Sequence, residues 1–92
     1  MTPTPELNAH IKGLKTEEAR NDFARRCETS IGHLRNIAYG KKCSAELAAL
    51  IEATSGRAVR RWHLRPRDWH RVWPELVSAK GRPPIPTEAQ AA

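Results

Sequence analysis

Apolar residues recur at the helical period from Leu7 to Ile51, and polar caps and glycines cut that run into short pieces. Leu7, Ile11 and Leu14 stand at i, i+4 and i+7, which predicts a first helix ending at the corner Gly13–Lys15. Thr16 is placed to cap a second helix, with Glu17 and Glu18 at the positive end of its dipole and Ala19, Phe23, Ala24 and Cys27 as its inner stripe. Ser30 caps a third, running to about Tyr39 and stopped by Gly40. Ser44 caps a fourth, with Leu47, Leu50 and Ile51 inside, which ends before Gly56. Nothing alternates over a strand's length, so the expected class is all-α, a compact body of four to five helices.

The 92 residues allow one small core. Pro3 and Pro5 mark residues 1–5 as a flexible lead, and "GRPPIPTEAQAA", with three prolines, marks residues 78–92 as a Pro-rich flexible tail. Residues 6–77 remain for the domain. Within it "RAVRRWHL" is too short and too basic to assign, while Asp68 is placed to cap a last turn or two limited by Pro74. Trp69, Val72, Trp73 and Leu76 fall at i, i+3, i+4 and i+7. The simplest use of that stripe is burial against the four helices; left exposed, it would suit a homodimer face. Trp62 has no evident place.

The chain carries 16 Lys+Arg against 10 Asp+Glu, a net charge of +6, which favours a polyanionic partner with nucleic acid foremost. No run has the length of a membrane span, and "MTPTPEL" lacks the basic stretch and apolar core of a signal peptide, so the expected location is cytoplasmic. In that compartment Cys27 and Cys43 are reduced thiols. They stand sixteen positions apart, and no Cys or His pair has zinc-knuckle spacing, which speaks against a metal site. His10, His33, His63 and His70 are scattered, without a nucleophile, a phosphate loop or paired carboxylates beside them. No catalysis and no cofactor is expected.

The third helix carries the most informative pattern. With about 100° per residue, Ile31, Ile37 and Ala38 fall within about 60° of Leu34 and form a buried stripe. The opposite side bears Gly32, Arg35, Asn36 and Tyr39, with His33 at the flank. Arginine can donate two hydrogen bonds to guanine O6 and N7, and asparagine can pair with adenine N6 and N7. An exposed helical glycine costs on the order of 1 kcal/mol against alanine, which fits a backbone that approaches something closely. An ordinary solvated face is the competing reading.

Ala24, Cys27, Ser30, Leu34, Ile37 and Gly40 match the spacing of the lambda-repressor-like helix-turn-helix. With the downstream "LRPRDWHRVWPEL", the stretch from about residue 16 to 76 resembles the Cro-like and YdaS-like regulators of phages and prophages. The resemblance implies that the third helix enters the major groove of double-stranded DNA. Base contacts would then come from Ile31, Gly32, His33, Arg35 and Asn36. Phosphate contacts would come from Arg20, Ser30, Tyr39, Lys41 and Lys42. It also implies a homodimer on an operator, with no small-molecule substrate and no membrane. One departure stands out: relatives of this kind usually have glycine in the turn where this chain has Glu28, and a left-handed conformation would strain it. A carboxylate there also opposes phosphate unless Arg25 or Arg26 neutralises it.

These features lead to a transcriptional regulator, in the first instance a repressor. A protein-interaction module of antitoxin or antirepressor type, using the Trp69/Trp73 surface, is the alternative. RNA ranks below both, because the aromatic platform of single-strand readers is absent. Arg57, Arg60, Arg61, Arg65, Arg67 and Arg71 face a single acid, Asp68, across their stretch; they serve either as further phosphate ligands or as solubilising charge.

Overall fold

Four helices form where the caps place them. The structure, a computed structural model, describes residues 3–85. It contains α1 (Pro5–Gly13), α2 (Glu17–Arg26), α3 (Ile31–Ala38), α4 (Ala45–Thr54), and two single-turn helices, α5 (Arg61–Leu64) and α6 (Trp69–Val72). A 3-10 turn, Pro74–Ser78, follows, and there is no strand among the described residues. The protein is thus all-helical and compact, with α5 built from the stretch that sequence left unassigned.

Each of the three central helices begins on a hydroxyl. Thr16 accepts from the Ala19 N–H at 3.0 Å, Ser30 from His33 at 3.2 Å and Ser44 from Leu47 at 3.2 Å. Their far ends also share one device. The N–H of Thr29 donates to the Ala24 carbonyl and that of Glu28 to Arg25; Lys41 and Gly40 do the same to Asn36 and Ile37, and Arg57 and Gly56 to Glu52 and Ala53. This is the Schellman closure, which requires a left-handed residue just past the helix. Gly40 and Gly56 supply it at φ 120° and 64°, but after α2 the position belongs to Glu28 at φ 59°. The strain expected at Glu28 is therefore present.

Helices α1 to α4 enclose one core. Leu7 and Ile11 of α1, Phe23 and Ala24 of α2, Leu34, Ile37 and Ala38 of α3, and Leu47, Ala48 and Ile51 of α4 are buried together with Cys27 and Cys43. Leu50, expected inside, is only half-buried, and Ala48 takes the place beside Leu47 and Ile51. Helix α3 packs against both α1 and α2. The lead expected over residues 1–5 needs correction at its end, since Pro5 opens α1 and Thr4 is buried, its N–H donating to the Ala38 carbonyl at 2.9 Å. Of the expected tail, residues 86–92 lie outside the described residues; nearer in, Arg82 turns back to the Val77 carbonyl at 2.8 Å.

A second apolar cluster of Trp62, Trp69 and Leu76 sits on the first, with Trp73 packed against both. Trp69 is fully buried, its ring meeting Trp62 edge-on at 5.9 Å. Trp69 and Trp73 thus pack inward as their spacing suggested, and Pro74 limits the helix as expected: α6 ends at Val72 and the chain restarts as a 3-10 turn. Val72 consequently stands 38% exposed, while Leu76 reaches the cluster from the new turn. Asp68 also departs from expectation: it makes no cap hydrogen bond, because Arg65 holds its carboxylate in a bidentate pair at 3.0 and 2.5 Å.

Ion pairs fix this C-terminal part to the four helices. The half-buried Glu52 of α4 accepts Arg60 Nε at 2.9 Å and the Arg61 N–H at 3.1 Å, with Arg61 Nε 3.0 Å away. Arg65 donates to the Cys43 carbonyl at 2.7 Å, tying α5 to the loop after α3. Arg60 and Arg61 also lie over the rings of Trp62 and Trp73, at 4.3 and 5.2 Å from their centroids. Three of the six arginines are thus structural, a use outside both sequence readings.

Two predictions come from this framework. Glu28→Gly removes a left-handed cost of about 1–2 kcal/mol and adds unfolded-chain freedom of about 0.5–1 kcal/mol, so urea unfolding should show a net gain of about 0.5–1 kcal/mol. Burial lowers the pKa of His10 and of His63, whose Nδ1 accepts the Arg60 N–H at 2.9 Å. The unfolded chain therefore binds more protons, and stability should be level above the ordinary histidine value of about 6.5 and fall as pH drops below it. In His63→Gln the slope of unfolding free energy against pH over that range should be shallower.

Candidate nucleic-acid interface

Helix α3 has only eight residues, too few to persist alone in water, so its position is set by what it buries. Leu34, Ile37 and Ala38 enter the core and Ile31 leans on its edge. That packing turns Gly32, Arg35, Asn36 and Tyr39 outward, within about 100° of arc. Arg35 and Asn36 are exposed, and Tyr39 is 69% exposed, a large fraction for an aromatic side chain. A Cβ built on Gly32 would meet nothing within 4 Å, so no neighbour within the fold requires glycine there.

Lys41 and Lys42 follow at once, both exposed. None of Arg35, Asn36, Tyr39, Lys41 and Lys42 has an ion-pair partner among the described residues. Their donors remain available to an external acceptor. By contrast the exposed cations of α2 are partnered: Arg25 and Arg26 both bind Asp22, at 2.5 and 3.1 Å. They leave the exposed Glu28 carboxylate without the neutralising arginine that sequence reasoning required of them.

The remaining sequence-derived residues divide. Ser30 is exposed, and its oxygen is already engaged in capping α3, which leaves its hydroxyl proton to donate. His33 is half-buried and lines a shallow cleft of about 280 Å³ with Glu28 and Glu46, away from the open arc. Arg20 is half-buried, its Nε 3.4 Å from the Ile11 carbonyl near the end of α1, and it does not line the cleft that Lys41 and Lys42 border. The structure therefore assembles Gly32, Arg35, Asn36, Tyr39, Lys41 and Lys42 on and just beyond one helix, with Ile31 and Ser30 at its start.

The cysteine pair belongs to the interior. Burial pushes the Cys43 thiol up to about 11 and raises Cys27 in the same direction. Both are free and protonated at neutral pH, the opposite of what a reactive or metal-binding thiolate needs. Among the described residues no three His, Cys, Asp or Glu side chains converge on one point. No described helix is long and apolar enough to cross a membrane.

One of the six arginines whose use the sequence left open, between phosphate ligand and solubilising charge, lies beside the end of α3. Arg67 is exposed, has no ion-pair partner among the described residues, and lines a cleft of about 540 Å³ with Lys41 and Lys42. Only the fold brings residue 67 to the end of α3, although the pairing of Arg65 with Asp68 at i, i+3 could have been anticipated. Comparison with family models, with curated protein sequences and with solved structures returned no match for this chain.

Proposed function

We propose that the protein is a sequence-specific, double-stranded DNA-binding regulator of phage or prophage type, in the first instance a repressor acting in the cytoplasm by occupying an operator. In this reading α2, the corner at Glu28 and α3 act as a helix-turn-helix, and α3 enters the major groove. The observation that carries it is the outward arc Gly32–Arg35–Asn36–Tyr39, held from behind by Leu34 and Ile37 and lacking ion-pair partners of its own.

The chemistry divides by residue. Arg35 offers a two-pronged donor to guanine, and Asn36 a donor–acceptor pair to adenine. Ile31, half-buried at the start of α3, offers methyl groups to a thymine methyl. Gly32 keeps the helix backbone bare where it meets the base edges. Lys41, Lys42, Tyr39 and the Ser30 hydroxyl hold phosphate and set register without reading sequence. A second copy, docked with two-fold symmetry, would place two α3 helices about one turn of duplex apart.

Site selection from a random duplex pool tests this reading directly: enrichment of a palindrome supports it, and no enrichment overturns it. On the selected site Arg35→Ala should relax preference at one base position, a loss of about 1–3 kcal/mol of discrimination. Lys42→Ala should weaken selected and random duplexes alike and lower the slope of log K against log salt by about 0.9. A titration in which the two variants behave identically would refute the division of roles. Gly32→Ala should raise stability by about 0.5–1 kcal/mol in urea while weakening binding to the selected duplex.

A further inference from the structure

The cleft beside the end of α3 is walled on one side by the α3–α4 loop, Lys41 to Cys43, and on the other by the corner between α5 and α6, Arg65 to Asp68. Its volume is about 540 Å³. The one carboxylate there, Asp68, is consumed by Arg65, and Arg65 in turn spends a donor on the Cys43 carbonyl, bracing the two walls. Three cations remain without a carboxylate among the described residues: Lys41 and Lys42 on one wall and Arg67 on the other. Leu64, Pro66 and Cys43 contribute apolar atoms between them.

We infer that this cleft receives the sugar–phosphate backbone of the duplex beside the groove that α3 enters, and that Arg67 is its outer phosphate ligand. A nucleic-acid strand presents alternating anionic and apolar groups, phosphate and deoxyribose. The cleft offers the matching pair, basic rims and an apolar lining. Charge complementarity is strongest for a polyanion, since no carboxylate stays free to repel it. Arg67 reaches this position only because the Arg65–Asp68 pair and the Cys43 carbonyl bond hold the corner against the loop. The α5–α6 corner then works as a second phosphate grip, separate from α3 and contributed by the far end of the chain.

This inference rests on the DNA-binding reading, and one salt series separates the two. Wild type, Arg67→Ala, Arg67→Lys and the Lys42→Ala/Arg67→Ala double variant are titrated with the selected duplex and with a random duplex across salt concentration. Thermal melts run alongside, and because Arg67 has no ion pair to lose its variants should melt with the wild type. Arg67→Ala should lower the salt slope by about 0.9 on both duplexes, Arg67→Lys should keep it, and the double variant should lose about 1.8. Normal wild-type binding with an unchanged slope in Arg67→Ala overturns the inference while leaving the regulator reading intact. Failure of wild type to bind either duplex removes both.

Discussion

The burial of Leu34, Ile37 and Ala38 is the constraint on which the rest depends. An eight-residue helix gains too few internal hydrogen bonds to offset its nucleation cost, so α3 exists because α1 and α2 cover one side of it. Covering that side decides which side faces out, since side chains 100° apart cannot be rotated independently. Arg35 and Asn36 are therefore presented by the core, not by their own preference for water. The Thr4 N–H on the Ala38 carbonyl adds a stop at the opposite end from the Ser30 cap. With both ends and the back fixed, the backbone that carries the outward groups loses little freedom on meeting a ligand, which favours geometric selectivity.

The corner between α2 and α3 shows a conflict between local and global demands. Helix α2 closes with the same hydrogen bonds as α3 and α4, yet the left-handed position is held by a glutamate. The closure survives because Cys27 and Thr29 on either side are held, one in the core and one by the Ala24 carbonyl. Strain kept at such a site, together with an uncompensated charge, is what a surface under functional demand tends to retain. Its cleft with His33 and Glu46 makes the N-terminal flank of α3 acidic, whereas the C-terminal flank is basic.

Much of the four-helix part was legible in the chain because its determinants are local. Thr16, Ser30 and Ser44 are caps by chemistry and position, Gly40 and Gly56 are stops by backbone freedom, and the 3.6-residue period sorts Leu34 from Arg35. The C-terminal part was not, for two reasons. The spacing from Trp69 to Leu76 runs across Pro74, already read as the limit of the helix, and it does not tell how the two turns on either side sit, so Val72 and Leu76 ended in different environments. The arginines depended on partners far along the chain: Glu52 for Arg60 and Arg61, and the Cys43 carbonyl for Arg65. Long-range pairing carries no periodic signature, and Arg67 joined the open surface for the same reason.

The two sequestered thiols give the molecule an internal reporter. Cys27 lies where α2 meets α3, and Cys43 belongs to the braced loop that follows α3, its side chain turned into the core. Neither can meet an alkylating reagent until its own cover lifts, so the rate of modification reads the free energy of opening at that place. Counting adducts per molecule by mass distinguishes a cover that lifts alone from a body that opens as one, with no label introduced and no residue changed.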